Sequence, residues 1–258
     1  MQTFKAIVLD MDGTLLTKDG KIPNKTKNIL LKLKDKGIKI FLATGRPIST
    51  SLPYHQELDL ETPLICLNGA VVYDRLKQKV LSQAPISFEL INLVKETVMD
   101  NAKAMVCQTF QSNYQLINLI GEQIERYWPV EKAGVMPGND EPFLKMKIMF
   151  NSKSFASYIV NKFTPVLQVS NWGDWFEVTS QSVTKWTSFH SVIKQYGIHV
   201  RDVIAFGDGV NDIDLIKNVG IGVAMENALP ILKQVSKYST SSNEDNGIFH
   251  FLNNYHVS

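Results

Sequence analysis

Short apolar runs recur along the first third of the chain, each closed by a polar cluster and each separated from the next by a helix-length segment. Phe4-Lys5-Ala6-Ile7-Val8-Leu9 ends at Asp10-Met11-Asp12-Gly13-Thr14. Ile38-Lys39-Ile40-Phe41-Leu42-Ala43 ends at Thr44-Gly45-Arg46-Pro47, and Pro63-Leu64-Ile65-Cys66-Leu67 ends at Asn68-Gly69-Ala70. Between the first two, Asn24 to Lys36 carries apolar residues at Ile29, Leu30 and Leu33, is rich in lysine, and stops at Gly37 as a C-cap glycine stops a helix. Continuous apolar strands alternating with helices predict a parallel sheet with crossover connections. Lys18-Asp19-Gly20 reads as a hairpin turn.

After residue 70 the pattern changes. Segments 71–74 and 78–82 read as a hairpin leading away from the sheet. Helices are expected at 87–100, near 120–128 and near 152–162. Strands are expected at 104–109, 113–118, 143–150, near 165–171 and at 175–179, with a loop at Pro137-Gly138-Asn139-Asp140. Strands outnumber helices here, which predicts a mainly antiparallel α+β module. Beyond 183 the first style returns. Thr184 to Tyr196 reads as a helix ending at Gly197, and Asp202-Val203-Ile204-Ala205-Phe206 as a strand ending at Gly207-Asp208-Gly209. A short helix, Ile213 to Asn218, and a short strand, Gly220 to Ala224, follow. The expected fold class is therefore α/β. A doubly wound, Rossmann-like parallel-sheet core (1–82 and 184–258) is interrupted by an α+β insert (83–183). Ser239 to Asn246 is a polar run expected to form a surface loop.

Composition narrows the partners. In 258 residues, 27 basic and 25 acidic side chains leave a net charge of +2, which gives no electrostatic case for nucleic acid or an anionic membrane. No apolar run is long enough to span a bilayer, and the start MQTFKAIVLDMDG lacks a signal-peptide layout. Cys66 and Cys107 cannot build a disulfide framework; Cys66 reads as a core thiol, and a cytoplasmic location is expected. His55, His190, His199, His250 and His256 show no paired spacing, which argues against zinc.

The chemistry is concentrated at strand ends. In an open parallel sheet, ligands bind outside the carboxyl ends of the strands. Four such ends carry Asp10 with Asp12, Thr44 with Arg46, Asn68, and Asp208 with Asn211 and Asp212. Two acids separated by a single residue repel, and each raises the cost of ionising the other. Such a pair is tolerated where a cation lies between them or where one carries a proton for chemistry. Oxygen ligands of this kind suit Mg²⁺, which takes one or two carboxylates and leaves room for a phosphate oxygen. Taken singly, the residues have plainer readings. Lys185 is a solvated helix-start lysine, Arg46 a structural partner for a carboxylate or equally a substrate contact, Asn68 a turn former, and Asp212 an N-cap for the helix at 213–218. The lysines of 21–39 read as a solvated helix face. Trp128, Trp172, Trp175 and Phe176 read as core or interface before substrate platform.

Together, Asp10-Met11-Asp12-Gly13-Thr14-Leu15, Ala43-Thr44-Gly45-Arg46, Leu67-Asn68-Gly69-Ala70 and Gly207-Asp208-Gly209-Val210-Asn211-Asp212 resemble the motifs of the haloacid dehalogenase (HAD) superfamily of phosphatases. Within it they look like the Cof-type branch, which carries a large α/β (C2) cap after the third strand; the resemblance covers nearly the whole chain. It implies an Mg²⁺-dependent phosphomonoester hydrolase acting on small phosphorylated metabolites, sugar phosphates or phosphorylated cofactors, as a monomer or homodimer. In that scheme Asp10 resembles the nucleophile that forms an aspartyl-phosphate, and Asp12 the general acid and base. Thr44 resembles the hydroxyl donor to the phosphoryl group, with the Gly45 N–H beside it, and Lys185 the lysine that offsets phosphate and nucleophile charge. Arg46, Asn68 and Asn211 would be substrate contacts. Metal ligands would be the Asp10 carboxylate, the Asp12 backbone carbonyl and Asp208, with Asp212 a further ligand or a partner behind it. Cap closure would exclude water during transfer and choose the substrate. Two residues depart from the pattern: Trp186 follows Lys185 where glycine is usual, and Glu226 stands where small residues are common. A phosphosugar mutase on the same scaffold, or a non-catalytic phosphate-binding module, are the alternatives.

Overall fold

A computed structural model describes residues 4–110, 112–118, 132–133, 141–150 and 153–255. The chain divides into two compact units, Met1–Leu81 with Thr184–Ser258, and Ser82–Val183. The helix expected near 120–128, Trp128 and the loop at 137–140 lie outside the described residues.

The first unit begins with β1 (Ala6–Leu9), α1 (Asn24–Asp35), β2 (Lys39–Leu42), α2 (Ile48–Glu57) and β3 (Leu64–Cys66). All four residues of β1 are fully buried, so the strand is covered on both faces, as its unbroken apolar run demands. On α1, Leu30 and Leu33 face the core. Gly37, at φ +87°, supplies the left-handed turn that ends it. Its lysines are not all merely solvated. Lys27 pairs with Glu57 at the end of α2 (3.0 Å), and Lys34 reaches both the carboxylate (2.8 Å) and the carbonyl (2.9 Å) of Asp59. The Thr17–Lys21 turn closes through Gly20 N–H to Thr17 O (2.9 Å), but no strands flank it, so it is a loop turn rather than a hairpin.

β3 departs from expectation. It joins the parallel sheet through a single bridge, Ala43 to Ile65, and instead pairs antiparallel with β4 (Val71–Asp74). β5 (Lys79–Gln83) completes this separate three-stranded sheet in the order β3-β4-β5. The turn between β3 and β4 causes the reversal. Leu67, Asn68 and Gly69 all take positive φ (51°, 58° and 99°), which sends the chain back along itself instead of into a crossover helix.

The second unit holds α3 (Phe88–Val98), β6 (Ala102–Gln108), β7 (Asn113–Asn118), β8 (Lys132–Ala133), β9 (Lys145–Phe150), α4 (Lys153–Phe163), β10 (Leu167–Asn171) and β11 (Trp175–Ser180). These strands form one sheet in the order β10-β11-β9-β6-β7-β8, antiparallel except between β7 and β8. Ser87 caps α3 by accepting from Leu90 N–H. One sheet face packs Met146, Ile148, Phe176 and Val178 against Ile91, Val94 and Val98 of α3 and Ile159 of α4. The alternating residues of β9 and β11 include Lys145 and Glu177, a buried ion pair. Phe176 belongs to the core, as expected, whereas Trp172 and Trp175 stack on each other with centroids 5.3 Å apart.

The chain then returns to the first unit with α5 (Lys185–Gln195), β12 (Val203–Gly207), α6 (Ile213–Asn218), β13 (Ile221–Ala224), α7 (Pro230–Val235), β14 (Tyr238–Ser239) and α8 (Gly247–Asn254). The five-stranded sheet runs β14-β13-β12-β1-β2, parallel throughout. Of the polar run 239–246, Ser239 ends β14 and the rest is a surface loop with an inward anchor: Asn243 is buried and donates to the Leu16 carbonyl (2.8 Å). Cys66 and Cys107 are both buried free thiols, and burial pushes Cys66 up to about 12. Among the described residues no helix is long and apolar enough to cross a membrane.

Candidate active site

The strand order decides which loops meet. β1 lies between β12 and β2, all parallel, so the loops after these three strands emerge side by side at the carboxyl edge. Asp10 is the first residue past β1, and its N–H donates to Phe206 O of β12 (3.2 Å). Asp208 is the first residue past β12, and Thr44 lies just past β2. The Ala43–Ile65 bridge and the bond from Asn68 N–H to Thr44 O (2.9 Å) bring in the fourth loop.

Asp10, Asp208 and Asp212 each offer a carboxylate oxygen within 4.8 Å of the others. Asp10 and Asp212 are buried and Asp208 is partly so. Lys185 is fully buried among them, donating to Asp10 Oδ1 (2.5 Å) and Asp212 Oδ1 (2.7 Å). Burial and repulsion from Asp212 push the Asp10 carboxyl well above its ordinary range, although Lys185 opposes the shift. The same two causes push Asp208 up to about 6, against the Thr14 hydroxyl, which donates to its Oδ1 (2.8 Å). Burial alone would depress Lys185; its ion pairs with Asp10 and Asp212 outweigh burial and raise it. One ammonium thus faces three crowded carboxylates, a charge balance suited to a further cation.

Local sequence builds each piece. Gly13 sits at φ +74°, and a Cβ there would fall 2.3 Å from Asp208 Oδ2, so only glycine lets the two loops approach this closely. Asp212 does not cap α6. Its Oδ2 turns back to accept from the N–H groups of Asp208 (3.1 Å) and Gly209 (3.0 Å), fixing the loop that carries Asp208. Lys185 is the first residue of α5, whose start is set by a reciprocal cap. Thr187 N–H donates to Thr184 Oγ1 (3.1 Å), and Thr184 N–H to Thr187 Oγ1 (3.0 Å). A Cβ on Gly69 would lie 2.3 Å from Thr184 O, and Ser188 Oγ donates to Gly69 O (2.7 Å), so α5 is seated directly on the Leu67–Gly69 turn.

The remaining expected residues are placed as follows. Thr44 is buried, and its Oγ1 accepts from Arg46 N–H (3.1 Å). Gly45 follows it in the same loop. Asn211 Nδ2 donates to Asn68 Oδ1 (2.9 Å), while Asn211 Oδ1 is buried with no hydrogen-bond partner among the described residues. The Asp12 side chain does not join the triad. It is 60% exposed and held by Arg46, with Nε to Oδ2 at 2.7 Å and Nη2 to Oδ1 at 2.5 Å. Trp186 stacks on His190 one turn along α5, ring centroids 4.7 Å apart. Glu226 is exposed, and Lys233 donates to its carbonyl. Sequence reading missed Thr14, Ser188 and Asn227, whose Nδ2 donates to Gly13 O (2.7 Å). Thr14 alone had a signal, standing within the first motif.

Residues 7–252 match the family of haloacid dehalogenase-like hydrolases. Among curated relatives, a 5-amino-6-(5-phospho-D-ribitylamino)uracil phosphatase of Bacillus subtilis is 28% identical, over 96% of each chain. A pyridoxal phosphate phosphatase of Escherichia coli is 25% identical, over 97% of this chain and 98% of its own. Among solved structures, the phosphatase BT1666 of Bacteroides thetaiotaomicron superposes with a TM-score of 0.86 at 25% identity, covering 98% of this chain and 96% of that one. The subclass IIB sugar phosphatase BT4131 gives 0.85 at 22%, covering 97% and 98%, and shares the fold. A parallel five-stranded core with an inserted antiparallel sheet, carrying this acidic cluster at its carboxyl edge, is the architecture of a capped phosphatase. The chain belongs to the haloacid dehalogenase-like hydrolases.

Proposed function

We propose that this phosphatase is an Mg²⁺-dependent phosphomonoester hydrolase acting on small phosphorylated metabolites, sugar phosphates or phosphorylated cofactors, through an aspartyl-phosphate. The observation that carries the reading is the buried cluster of Asp10, Asp208 and Asp212 around Lys185. The activities named for the two relatives, on a ribityl phosphate and on pyridoxal phosphate, support the substrate class.

In this reading Asp10 attacks phosphorus; an acyl-phosphate bond forms as the ester P–O bond breaks, and Asp12 gives a proton to the departing oxygen. Water then attacks phosphorus with Asp12 taking its proton, the bond to Asp10 breaks, and inorganic phosphate leaves. Splitting the displacement lets one carboxylate serve each half-reaction as acid and then as base. Lys185 holds the nucleophile oriented and offsets its charge as the phosphate dianion approaches. Thr44 Oγ1, the Gly45 N–H and Asn211 line the phosphoryl position. Asp10 and Asp208, with the Asp12 carbonyl, would hold Mg²⁺. Asp212 completes the triad while fixing Lys185 and the Asp208 loop. The fit rests on the donors themselves, hard oxygens of carboxyls that burial and then mutual repulsion hold above their ordinary range. When bound, Mg²⁺ supplies charge neutralisation between Asp10 and the phosphate.

A phosphate-release screen over metabolite esters, with Mg²⁺ and with chelator, tests this. Stoichiometric free phosphate from a subset of small esters is expected, falling at least about 100-fold on chelation. Turnover indifferent to chelator would remove the metal from the account. Transfer of label to a second sugar without phosphate release would favour a mutase.

A further inference from the structure

Resting on the hydrolase reading, we propose that Arg46 is a positioning residue for Asp12, braced from below by Tyr54. The contacts form a continuous chain inside the first unit. Arg46 grips Asp12 with two parallel hydrogen bonds, at 2.7 and 2.5 Å. Its guanidinium carbon lies 5.5 Å from the centre of the Tyr54 ring. The Tyr54 hydroxyl donates to the Gly20 carbonyl in the Thr17–Lys21 turn (2.7 Å). The Arg46 backbone is pinned at both ends, its N–H to Thr44 Oγ1 (3.1 Å) and its carbonyl by Leu67 N–H (3.0 Å).

Asp12 needs such help. Its side chain is 60% exposed, and the two bonds from Arg46 are its only side-chain hydrogen bonds among the described residues. An exposed carboxylate is free to turn about two side-chain bonds. A planar fork fixes both its direction and its plane, which a lysine ammonium, a point donor, cannot do. An exposed ion pair contributes little to folding unless its geometry is fixed, so stability alone does not explain a bidentate pair with an aromatic floor. Orientation does, because a proton donor misplaced by about 1 Å costs on the order of 100-fold in rate. Arg46 therefore acts on the reaction through Asp12, and Tyr54 acts through Arg46.

Leaving-group dependence separates this from the other roles open to an arginine. An alkyl phosphate needs a proton delivered to its departing oxygen, whereas p-nitrophenyl phosphate departs largely without one. In Arg46→Gln, kcat/KM, which ends at transfer to Asp10 and leaves out the water step common to both esters, should fall about 10- to 100-fold on glycerol 2-phosphate and less than about threefold on p-nitrophenyl phosphate. Arg46→Lys should recover only part of the loss. Tyr54→Leu should show the same selectivity at smaller size. Equal losses of kcat/KM on both esters, or a rise in KM with kcat held for both, would overturn the proposal, the latter by making Arg46 a substrate-binding group. A crystal structure of Arg46→Gln reads the same point without turnover. The Asp12 side chain should leave its present position while the 10–14 backbone stays, and an Asp12 that stays put overturns the proposal. If the wild type hydrolyses no ester, the hydrolase reading fails by itself, and this structural comparison still decides whether Arg46 holds Asp12.

Discussion

Asp10 and Asp12, two residues apart in sequence, occupy opposite environments. Asp10 is buried against Lys185 and two further acids, while Asp12 points to solvent and an arginine. Strand geometry is the reason: β1 ends at Leu9, and the chain turns immediately after Asp10. Away from the cluster, His55 is a second buried polar group with a testable consequence. It is fully buried on α2, with Nε2 2.7 Å from the Thr62 carbonyl and Nδ1 without a partner among the described residues. Burial is the main cause that lowers it to about 4, from an ordinary value near 6.5. The unfolded chain then takes up this proton first as pH falls. The stability His55 contributes is complete above about pH 6.5 and is lost progressively down to about pH 4, by on the order of 3 kcal/mol. Asp208, raised to about 6, works in the opposite direction, since the folded state binds its proton more readily. Urea unfolding of wild type and His55→Gln at pH 7 and pH 4.5 isolates the histidine. The wild type should lose more stability between the two, and equal losses would contradict the assignment.

At the scale of elements, the site depends on one helix seated on one turn. α5 delivers Lys185, and its approach is set by Gly69, whose missing Cβ admits Thr184 O. Gly69→Ala adds a methyl 2.3 Å from that carbonyl on a backbone at φ +99°. Strain and overpacking together should cost about 2–4 kcal/mol in denaturant unfolding. Moving Lys185 should also cut kcat by at least about tenfold. An alanine variant of wild-type stability and rate would show that α5 is placed by other contacts. Much at this level was legible. The β1, β2 and β12 runs are continuous and apolar because both faces of a parallel sheet are buried, and Gly37 and Gly197 mark helix ends by their positive φ. What sequence could not reveal depended on tertiary partners. Leu64-Ile65-Cys66 looks like another parallel strand, and only the three left-handed residues after it, two of them not glycine, turn it into an antiparallel edge. Asn243 looks like any loop asparagine until Leu16 O is opposite it. The Arg46–Asp12 fork joins residues 34 apart, and neither motif announces the other.

The parallel-sheet unit carries every acid, hydroxyl and cation of the candidate site. The unit at 82–183 builds its own core around Phe176, Ile148 and Met146, with the Lys145–Glu177 pair among its alternating strand residues. The motif loops were readable in advance because the strand order leaves them adjacent, so residues some 200 apart in sequence converge on one edge. Covalent phosphoryl transfer through Asp10 at this edge is what the proposed function requires. The direct measurement is a rapid acid quench of the protein with a radiolabelled phosphate ester and Mg²⁺, compared with Asp10→Asn confirmed as folded. A transient, hydroxylamine-labile phosphoprotein with its label on the peptide containing Asp10 is expected, and neither label nor phosphate release in the variant. Wild-type phosphate release by Asp10→Asn, or label on another residue, would contradict it.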